Sequence, residues 1–259
     1  MKSTLILLAA ALACAAAPLA CSSDPDASPA DAGISLGEGG YVDAPDPDAD
    51  RSRVDGGFLG PDGGVLREDR FVMKVVSFTP GPCAGFGASE MPGVIQGPPV
   101  GAGELKGSFD VVSLGIGGEI VVSFEPNEIV DGPGPDFIVF ENAFYAAGNP
   151  ATPAADLAEV GVSDDGVTWK TYPCTPGPSA PYGACAGWHP VYSAPGNGIS
   201  PVDPEKAGGE AYDLAAVGLA SARFVRIKDM SSSTCDVVPK PTNAGFDLDA
   251  ISIVNAKIP

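Results

Sequence analysis

From Phe71 onward, short runs rich in Val, Ile and Phe recur along the chain, separated by Gly, Pro, Asp and Asn. Runs of this length and composition are typical of β-strands separated by turns. The segment Phe137–Phe140 is apolar throughout, which predicts a strand buried on both faces. Only Tyr212–Leu219, with Asp213 near its start, is compatible with a short helix. Strands are expected at Phe71–Phe78, Val111–Leu114, Glu119–Phe124, Phe137–Phe140, Ala158–Val162, Val167–Tyr172, Arg223–Ile227 and Asp247–Val254.

This pattern predicts an all-β fold over residues 70–259, built as a two-sheet antiparallel sandwich or jelly roll. Residues 21–69 differ, because they are rich in Asp, Pro and Gly and carry no apolar periodicity. Such a segment cannot bury enough apolar surface to offset the entropy of ordering. We therefore expect it to be an acidic, disordered linker that precedes the domain.

The N-terminus has the pattern of an export signal. The apolar run from Leu5 to Ala17 is short and rich in small residues, which predicts a secretory signal peptide over residues 1–20. Small residues precede Cys21 and polar residues follow it, as in the cleavage site of a bacterial lipoprotein. Lipidation at Cys14, or ordinary cleavage that leaves Cys21 as a thiol, are the alternatives. A lipid on Cys21 would make the membrane a partner and place the protein in the cell envelope, at the outer membrane or cell surface.

The charge excludes several classes of function. The chain has 14 Lys and Arg residues against 33 Asp and Glu residues, for a net charge of −19. Nucleic acid is therefore not an expected partner, because phosphate binding needs clustered basic residues. The single histidine, His189, does not suffice for a zinc site with two histidines, and it has no recognisable serine partner motif. No catalytic residue is predicted.

Two stretches carry a resemblance to known families. The segment Val162–Trp169, with its Ser, Asp-Gly turn and Trp, is similar to a hairpin of discoidin-like, galactose-binding-like β-sandwiches, and Ala222–Ile227 resembles a later strand of that fold. More specifically, Asp131–Phe144 (DGPGPDFIVFENAF) and Gly245–Ala250 (GFDLDA) resemble an uncharacterised family of bacterial cell-surface lipoproteins. The resemblance implies a galactose-binding-like sandwich at the cell surface, but it implies no substrate.

Acidic residues in these motifs predict a metal site. Asp131 and Asp136 flank a Gly-Pro turn, and Asp247 and Asp249 would share one face of an extended strand. Because all the ligands would be oxygen atoms, a structural calcium ion is the expected cofactor. The alternatives are solvated turns and ion pairs, above all a pair between Glu141 and Arg226.

Four cysteines follow residue 70, and in an exported domain they allow three disulfide pairings. Cys174 and Cys185 lie in one Pro- and Gly-rich stretch and would close a short loop. Cys83 lies near the first strand and Cys235 precedes the last one. We therefore predict the disulfides Cys174–Cys185 and Cys83–Cys235.

The long insert between Tyr172 and Ala222 is the candidate ligand-binding region. It carries Tyr182, Trp188, His189 and Tyr192, and aromatic rings with nearby amides suit the faces of sugars. Packing of Trp188 onto the sandwich is the competing interpretation. The insert favours a non-catalytic module that binds a glycan or a surface protein. A structural or adhesion lipoprotein without a small ligand, or a carboxylate-dependent hydrolase, are the alternatives.

Overall fold

The computed structural model describes residues 53–54, 57–59, 64–67, 70–236 and 238–259. The predicted signal peptide, Cys21 and most of the linker lie outside the described residues. Within them, no helix is both long and apolar enough to cross a membrane. Short 3-10 helices lie at Ala88–Glu90, Gly93–Ile95, Ala146–Gly148 and Leu214–Val217.

The rest of the regular structure is β-strand. In chain order the strands are β1 (Arg53–Val54), β2 (Gly57–Leu59), β3 (Val65–Leu66), β4 (Lys74–Thr79), β5 (Val112–Ser113), β6 (Glu119–Ser123), β7 (Glu128–Val130), β8 (Phe137–Phe140), β9 (Phe144–Tyr145), β10 (Pro153–Ala154), β11 (Ala158–Ser163), β12 (Lys170–Thr171), β13 (Glu210–Tyr212), β14 (Ser221–Ala222), β15 (Phe224–Asp229), β16 (Asp247–Leu248), β17 (Ala250–Ile253) and β18 (Ala256–Lys257).

The fold is an all-β antiparallel sandwich, as predicted. One layer is a five-stranded sheet in the order β12-β11-β15-β6-β4. Three small sheets face it across the core, in the orders β13-β8-β17, β14-β7-β18 and β16-β5. Every pairing among these strands is antiparallel.

One hydrophobic cluster joins the two layers. Alternate residues of β15, Val225 and Ile227, are fully buried in it, while Arg226 between them points to the other face of the sheet. From the opposite layer, Phe137, Val139 and Ile251 enter the same cluster. The alternation in β15 therefore directs Arg226 away from the core.

Strand β8 is buried on both faces, which confirms the prediction from its continuous apolar run. Phe137 and Val139 face the main core. Ile138 and Phe140 face the other way, into a second cluster with Val191, Ala207 and Ala250. Val191 and Ala207 belong to the long insert, so the insert covers the outer face of this sheet.

The structure also bears on the predicted disulfides, the possible short helix and the last expected strand. Both predicted disulfides, Cys83–Cys235 and Cys174–Cys185, are present. The possible helix over Tyr212–Leu219 is a 3-10 helix over Leu214–Val217, and Asp213 caps it by accepting a hydrogen bond from the Ala215 N–H at 2.8 Å. The expected strand Asp247–Val254 is divided into β16 and β17.

Candidate functional site

The long insert, expected to lack strands, contains β13, and a pocket of about 400 Å³ opens between β13 and residues 183–189 earlier in the insert. Its lining combines aromatic rings, two acidic residues and the Cys174–Cys185 region. Its lining includes Tyr172, Cys185, Trp188, His189, Glu210, Tyr212 and Asp213.

Glu210, the first residue of β13, fixes the backbone of the insert at this pocket. Its carboxylate accepts hydrogen bonds from the N–H groups of Gly187 at 2.8 Å, Trp188 at 2.9 Å and His189 at 2.8 Å. Nδ1 of His189 lies 3.1 Å from the same carboxylate. Glu210 is only 7% exposed, so these donors satisfy a charge that is almost removed from water.

The indole ring of Trp188 is also held in place. Its Nε1–H donates to the carbonyl oxygen of Cys185 at 3.0 Å. The ring centroid lies 5.7 Å from that of Tyr182, which is oriented edge-on, and 3.7 Å from that of His189. Trp188 and His189 are both half-buried. The pocket therefore presents an aromatic surface that is partly open to solvent and whose position is fixed by the protein.

Two of the four predicted ligand-binding residues line this pocket, namely Trp188 and His189. Tyr182 is buried and supports Trp188 from the side. Tyr192 is placed differently: its hydroxyl donates to Glu104 at 3.0 Å, and it is not part of the lining. Of the predicted residues, this pocket brings Trp188 and His189 together, with Tyr182 against Trp188, and Tyr192 lies outside its lining.

Sequence reasoning missed Tyr172 and Tyr212, which form the floor of the pocket. Their ring centroids lie 4.7 Å apart, and Tyr212 stacks on Phe137 at 5.1 Å. The Tyr172 hydroxyl donates to the Asp213 carbonyl oxygen at 3.0 Å. In the sequence Tyr172 ends a predicted strand and Tyr212 begins the possible short helix, and neither position by itself indicates a pocket.

Asp131 and Asp136, from the DGPGPDFIVFENAF motif, form one cluster with Asp213. Carboxylate oxygens of Asp131, Asp136 and Asp213 lie within 4.8 Å of one another. Asp136 is completely buried and accepts hydrogen bonds from Gly132 N–H, Leu214 N–H and the side-chain amide of Asn255. Asp213 is a member that the sequence did not predict. The hydrogen bonds of Asp136 account for its burial without a metal ion.

The structure does not bring Asp247 and Asp249 to that cluster, which corrects the predicted four-acid calcium site. Asp136 directly precedes β8, whereas Ala250 pairs with Phe140 at the other end of β8, so Asp249 lies at that other end. Four strand residues at about 3.3 Å each separate the two ends by roughly 13 Å. Calcium ligands lie at about 2.3–2.6 Å from the ion, so the four acids cannot share one.

Asp247 and Asp249 have separate partners. Asp247 accepts hydrogen bonds from the Ser113 hydroxyl and, at 3.1 Å, from the Asn142 side-chain amide. Asp249 is completely buried and its carboxylate accepts a hydrogen bond from the Val100 N–H.

The predicted ion pair between Glu141 and Arg226 does not form. Arg226 lies on the outer face of the five-stranded sheet, where its guanidinium carbon is 4.8 Å from the ring centroid of Trp169. Glu141 follows β8 in the opposite layer and is 2% exposed. The strand alternation that buries Val225 and Ile227 explains why the two side chains do not meet.

Glu141 lies instead among other carboxylates. Burial, followed by the charges of Asp247 and Asp156, raises the pKa of Glu141 well above its usual range. Burial likewise raises the pKa of Asp247 to about 6. Asp156 is exposed as a residue, yet desolvation of its carboxylate, followed by the charge of Asp229, raises its pKa to about 6. These acids therefore keep their protons to a higher pH than exposed carboxyl groups do.

No protein-family model matches the chain, and no curated protein matches it either. The resemblance to cell-surface lipoproteins and the lipid anchor thus remain predictions from the sequence.

Proposed function

We propose that this protein is a surface-anchored lipoprotein whose sandwich is a non-catalytic binding module for a glycan or a similar extracellular ligand. The observation that carries the proposal is Trp188, a half-buried indole ring held at the edge of a pocket of about 400 Å³. Pockets of this size hold small ligands, and aromatic side chains with a few fixed polar groups are their usual lining. A ring that is already fixed loses little entropy when a ligand stacks on it.

The charge of the lining favours a neutral ligand. Glu210 and Asp213 are the acidic lining residues, and His189 is the only lining residue that can carry a positive charge. An anionic sugar would therefore meet repulsion without a compensating basic residue. A neutral saccharide can stack on Trp188 and form hydrogen bonds with the carbonyl and carboxylate oxygens of the rim.

The hydrogen bonds that Glu210 and Asp213 accept from the backbone support a binding role rather than a catalytic one. Both carboxylate oxygens of Glu210 accept backbone N–H groups, and Oδ1 of Asp213 accepts the Ala215 N–H. A general acid or base must be able to exchange a proton with the substrate. Carboxylates committed to the backbone are poorly suited to that task, which disfavours the hydrolase alternative.

Export to an oxidising compartment agrees with the two disulfides, since such bonds persist in secreted and envelope proteins. A lipid on Cys21 would hold the domain at the membrane, and residues 21–69 would serve as a spacer. The anchor and the binding pocket are independent parts of the proposal.

Tryptophan fluorescence offers a direct test, because the chain has only two tryptophans, Trp169 and Trp188. In Trp169→Phe, Trp188 is the only indole reporter. A glycan array with the purified protein first selects neutral oligosaccharides. Titration of Trp169→Phe with a selected sugar is then expected to change the emission of Trp188.

Substitution of the ring completes the test. Trp188→Ala is expected to weaken sugar binding at least roughly tenfold, because it removes the stacking surface. Trp169→Ala serves as the matched control and should leave the affinity unchanged, since Trp169 contacts Arg226 on the other sheet. An array without any bound glycan, or a Trp188→Ala variant with full affinity, would favour the structural lipoprotein.

A further inference from the structure

A second pocket, of about 590 Å³, is lined by Phe86 and Phe109 and shares no lining residue with the pocket at Trp188. Phe109 is 86% exposed, and its ring centroid lies 6.3 Å from that of Phe86, which is half-buried. A single apolar residue at a surface needs no explanation. Two neighbouring aromatic rings in the wall of a pocket, however, form a surface suited to a ligand. We call this cavity the Phe109 pocket.

Backbone contacts hold Phe86 at its place in the wall. The Phe86 N–H donates to the carbonyl oxygen of Thr242 at 2.8 Å, and the Ser113 N–H donates to the carbonyl oxygen of Phe86 at 3.0 Å. Ser113 belongs to β5, so Phe86 is tied directly to the sandwich. A Cβ atom on the next residue, Gly87, would collide with the carbonyl oxygen of Val111, so only glycine allows the two segments to approach so closely.

The segment that carries Phe109 is anchored on both sides of that residue. The side-chain amide of Asn142 donates to the carbonyl oxygen of Ser108 at 3.2 Å, and the Asp110 N–H donates to the Ser108 hydroxyl at 3.0 Å. Val111, which follows, is buried. The backbone at Phe109 is therefore held against the sandwich while its side chain stays exposed. A wall that is fixed in advance loses less entropy when a ligand binds.

The charges of the Phe109 pocket favour a positively charged ligand. Among its described lining residues, Glu90 and Asp110 are acidic and none is Lys, Arg or His. Glu90 is exposed, and the Ser89 hydroxyl orients its carboxylate by donating to Oε1 at 3.1 Å. Aromatic rings also attract cations, because the face of the ring is negative. The net charge of −19 adds a long-range attraction for basic molecules.

We propose that the Phe109 pocket binds an arginine side chain of a basic protein partner. A guanidinium group is planar, so it can stack on an exposed aromatic ring such as Phe109 and donate paired hydrogen bonds to a carboxylate such as Glu90. A lysine ammonium supplies charge but lacks the flat surface and the paired donors. The pocket is larger than one guanidinium group, which leaves room for the residues next to the arginine. The hydroxyl groups of Ser89 and Thr242 can form hydrogen bonds with the backbone of those residues.

Ligand-observed NMR with the full chain tests this proposal. The probe is an end-blocked pentapeptide with arginine at its centre and glycine and serine around it. We expect this peptide to bind, the matched lysine peptide to bind about threefold more weakly or worse, and a peptide with citrulline, the neutral isostere of arginine, to show no binding. Absence of binding by the arginine peptide, or equal binding by the citrulline peptide, would overturn the proposal.

Variants locate the bound peptide. Phe109→Ala and Glu90→Gln are each expected to weaken binding about threefold or more, since one removes the stacking surface and the other a negative charge. Both residues are exposed, so both variants should fold. Leu105→Ala is the matched control, because Leu105 is 74% exposed in the same segment but does not line the pocket. Unchanged affinity in Phe109→Ala or Glu90→Gln, or an equal loss in Leu105→Ala, would show that the peptide does not bind there.

Two further measurements identify the source of the arginine and separate this pocket from the sugar site. Free arginine is expected to bind more weakly than the peptide, because its own carboxylate is repelled by the acidic lining. Equal affinity would point to a small metabolite and overturn the assignment to a protein partner. Trp188→Ala should leave peptide binding unchanged, and Phe109→Ala should leave sugar binding unchanged. Loss of peptide binding in Trp188→Ala would place the peptide in the other pocket and contradict the proposal.

Discussion

Glu210 shows how a single residue can organise a loop that is distant in sequence. It lies in strand β13, 21 to 23 residues beyond the three residues whose N–H groups donate to it, while Gly187, Trp188 and His189 lie in an earlier segment of the insert outside any strand. Because the N–H groups of three consecutive residues donate to one carboxylate, Glu210 holds this turn of the insert against strand β13. The position of the Trp188 ring therefore depends on Glu210 as much as on the insert itself.

Removal of this carboxylate tests that dependence. Glu210→Ala is expected to lower the free energy of unfolding by roughly 3 kcal/mol, because buried N–H groups lose their acceptor. Glu210→Gln keeps one acceptor oxygen and should lose less. Urea unfolding measures both, and Glu205→Ala, an exposed glutamate of the same insert, is the control. If Glu210→Ala unfolds at the same urea concentration as Glu205→Ala, the loop does not depend on Glu210.

The sequence alone allowed some residues of the Trp188 pocket to be predicted, but not others. Trp188 and His189 could be named, because they are conspicuous in a Pro- and Gly-rich insert. Glu210 could not be named, because its partners are defined by tertiary contact and not by local spacing. Tyr192 was grouped with Trp188 because it follows closely in sequence, and composition does not reveal that its hydroxyl bonds Glu104 and that it lies outside the lining of this pocket.

At the level of elements, strand β8 separates two groups of acidic residues, one near each of its ends. Its two faces are buried, so charged side chains can occur only beyond its ends, with Asp136 before it and Glu141 after it. The strands themselves could be predicted from apolar runs and turn residues. Their pairing could not, and pairing is what separates Asp136 from Asp249 and places Arg226 on the outer face.

The two disulfides act on different elements and should have different effects. Cys174–Cys185 closes a short loop, with a sequence separation of 11, next to the Trp188 turn, whereas the separation for Cys83–Cys235 is 152. In the chain-entropy model, replacing the first pair by serine should cost about 3 kcal/mol and replacing the second about 5 kcal/mol. Only loss of the first pair should also weaken sugar binding.

Denaturant unfolding and sugar titration of the two double-serine variants measure these effects. Peptide mapping without reduction checks the pairing in the wild type. Recovery of Cys83 joined to Cys174 would contradict the pairing, and equal losses of sugar affinity in both variants would show that Cys174–Cys185 has no special role at the pocket.

At the level of the whole molecule, the excess of acidic over basic residues leaves few cations to neutralise buried carboxylates. The chain has 33 Asp and Glu residues against 14 Lys and Arg residues, and Lys206, Arg223 and Lys257 pair with acids that are partly or fully exposed. Buried acids therefore rely on backbone N–H groups, as Asp136 and Glu210 do, or on another source of positive charge. Among the described residues Glu141 forms no ion pair and its Oε2 atom has no hydrogen-bond partner, so burial raises its pKa instead.

The last prediction concerns where the molecule is held. The apolar run from Leu5 to Ala17 and the small residues before Cys21 predict diacylation of that cysteine. Cys21→Ala should release the protein from the membrane fraction into the soluble envelope fraction, because it removes the site of the proposed lipid and the net charge of −19 disfavours binding to anionic lipid. Fractionation with immunodetection measures the distribution, and Cys14→Ala should leave it unchanged. A Cys21→Ala protein that stays in the membrane with its signal peptide removed would show that the anchor lies elsewhere.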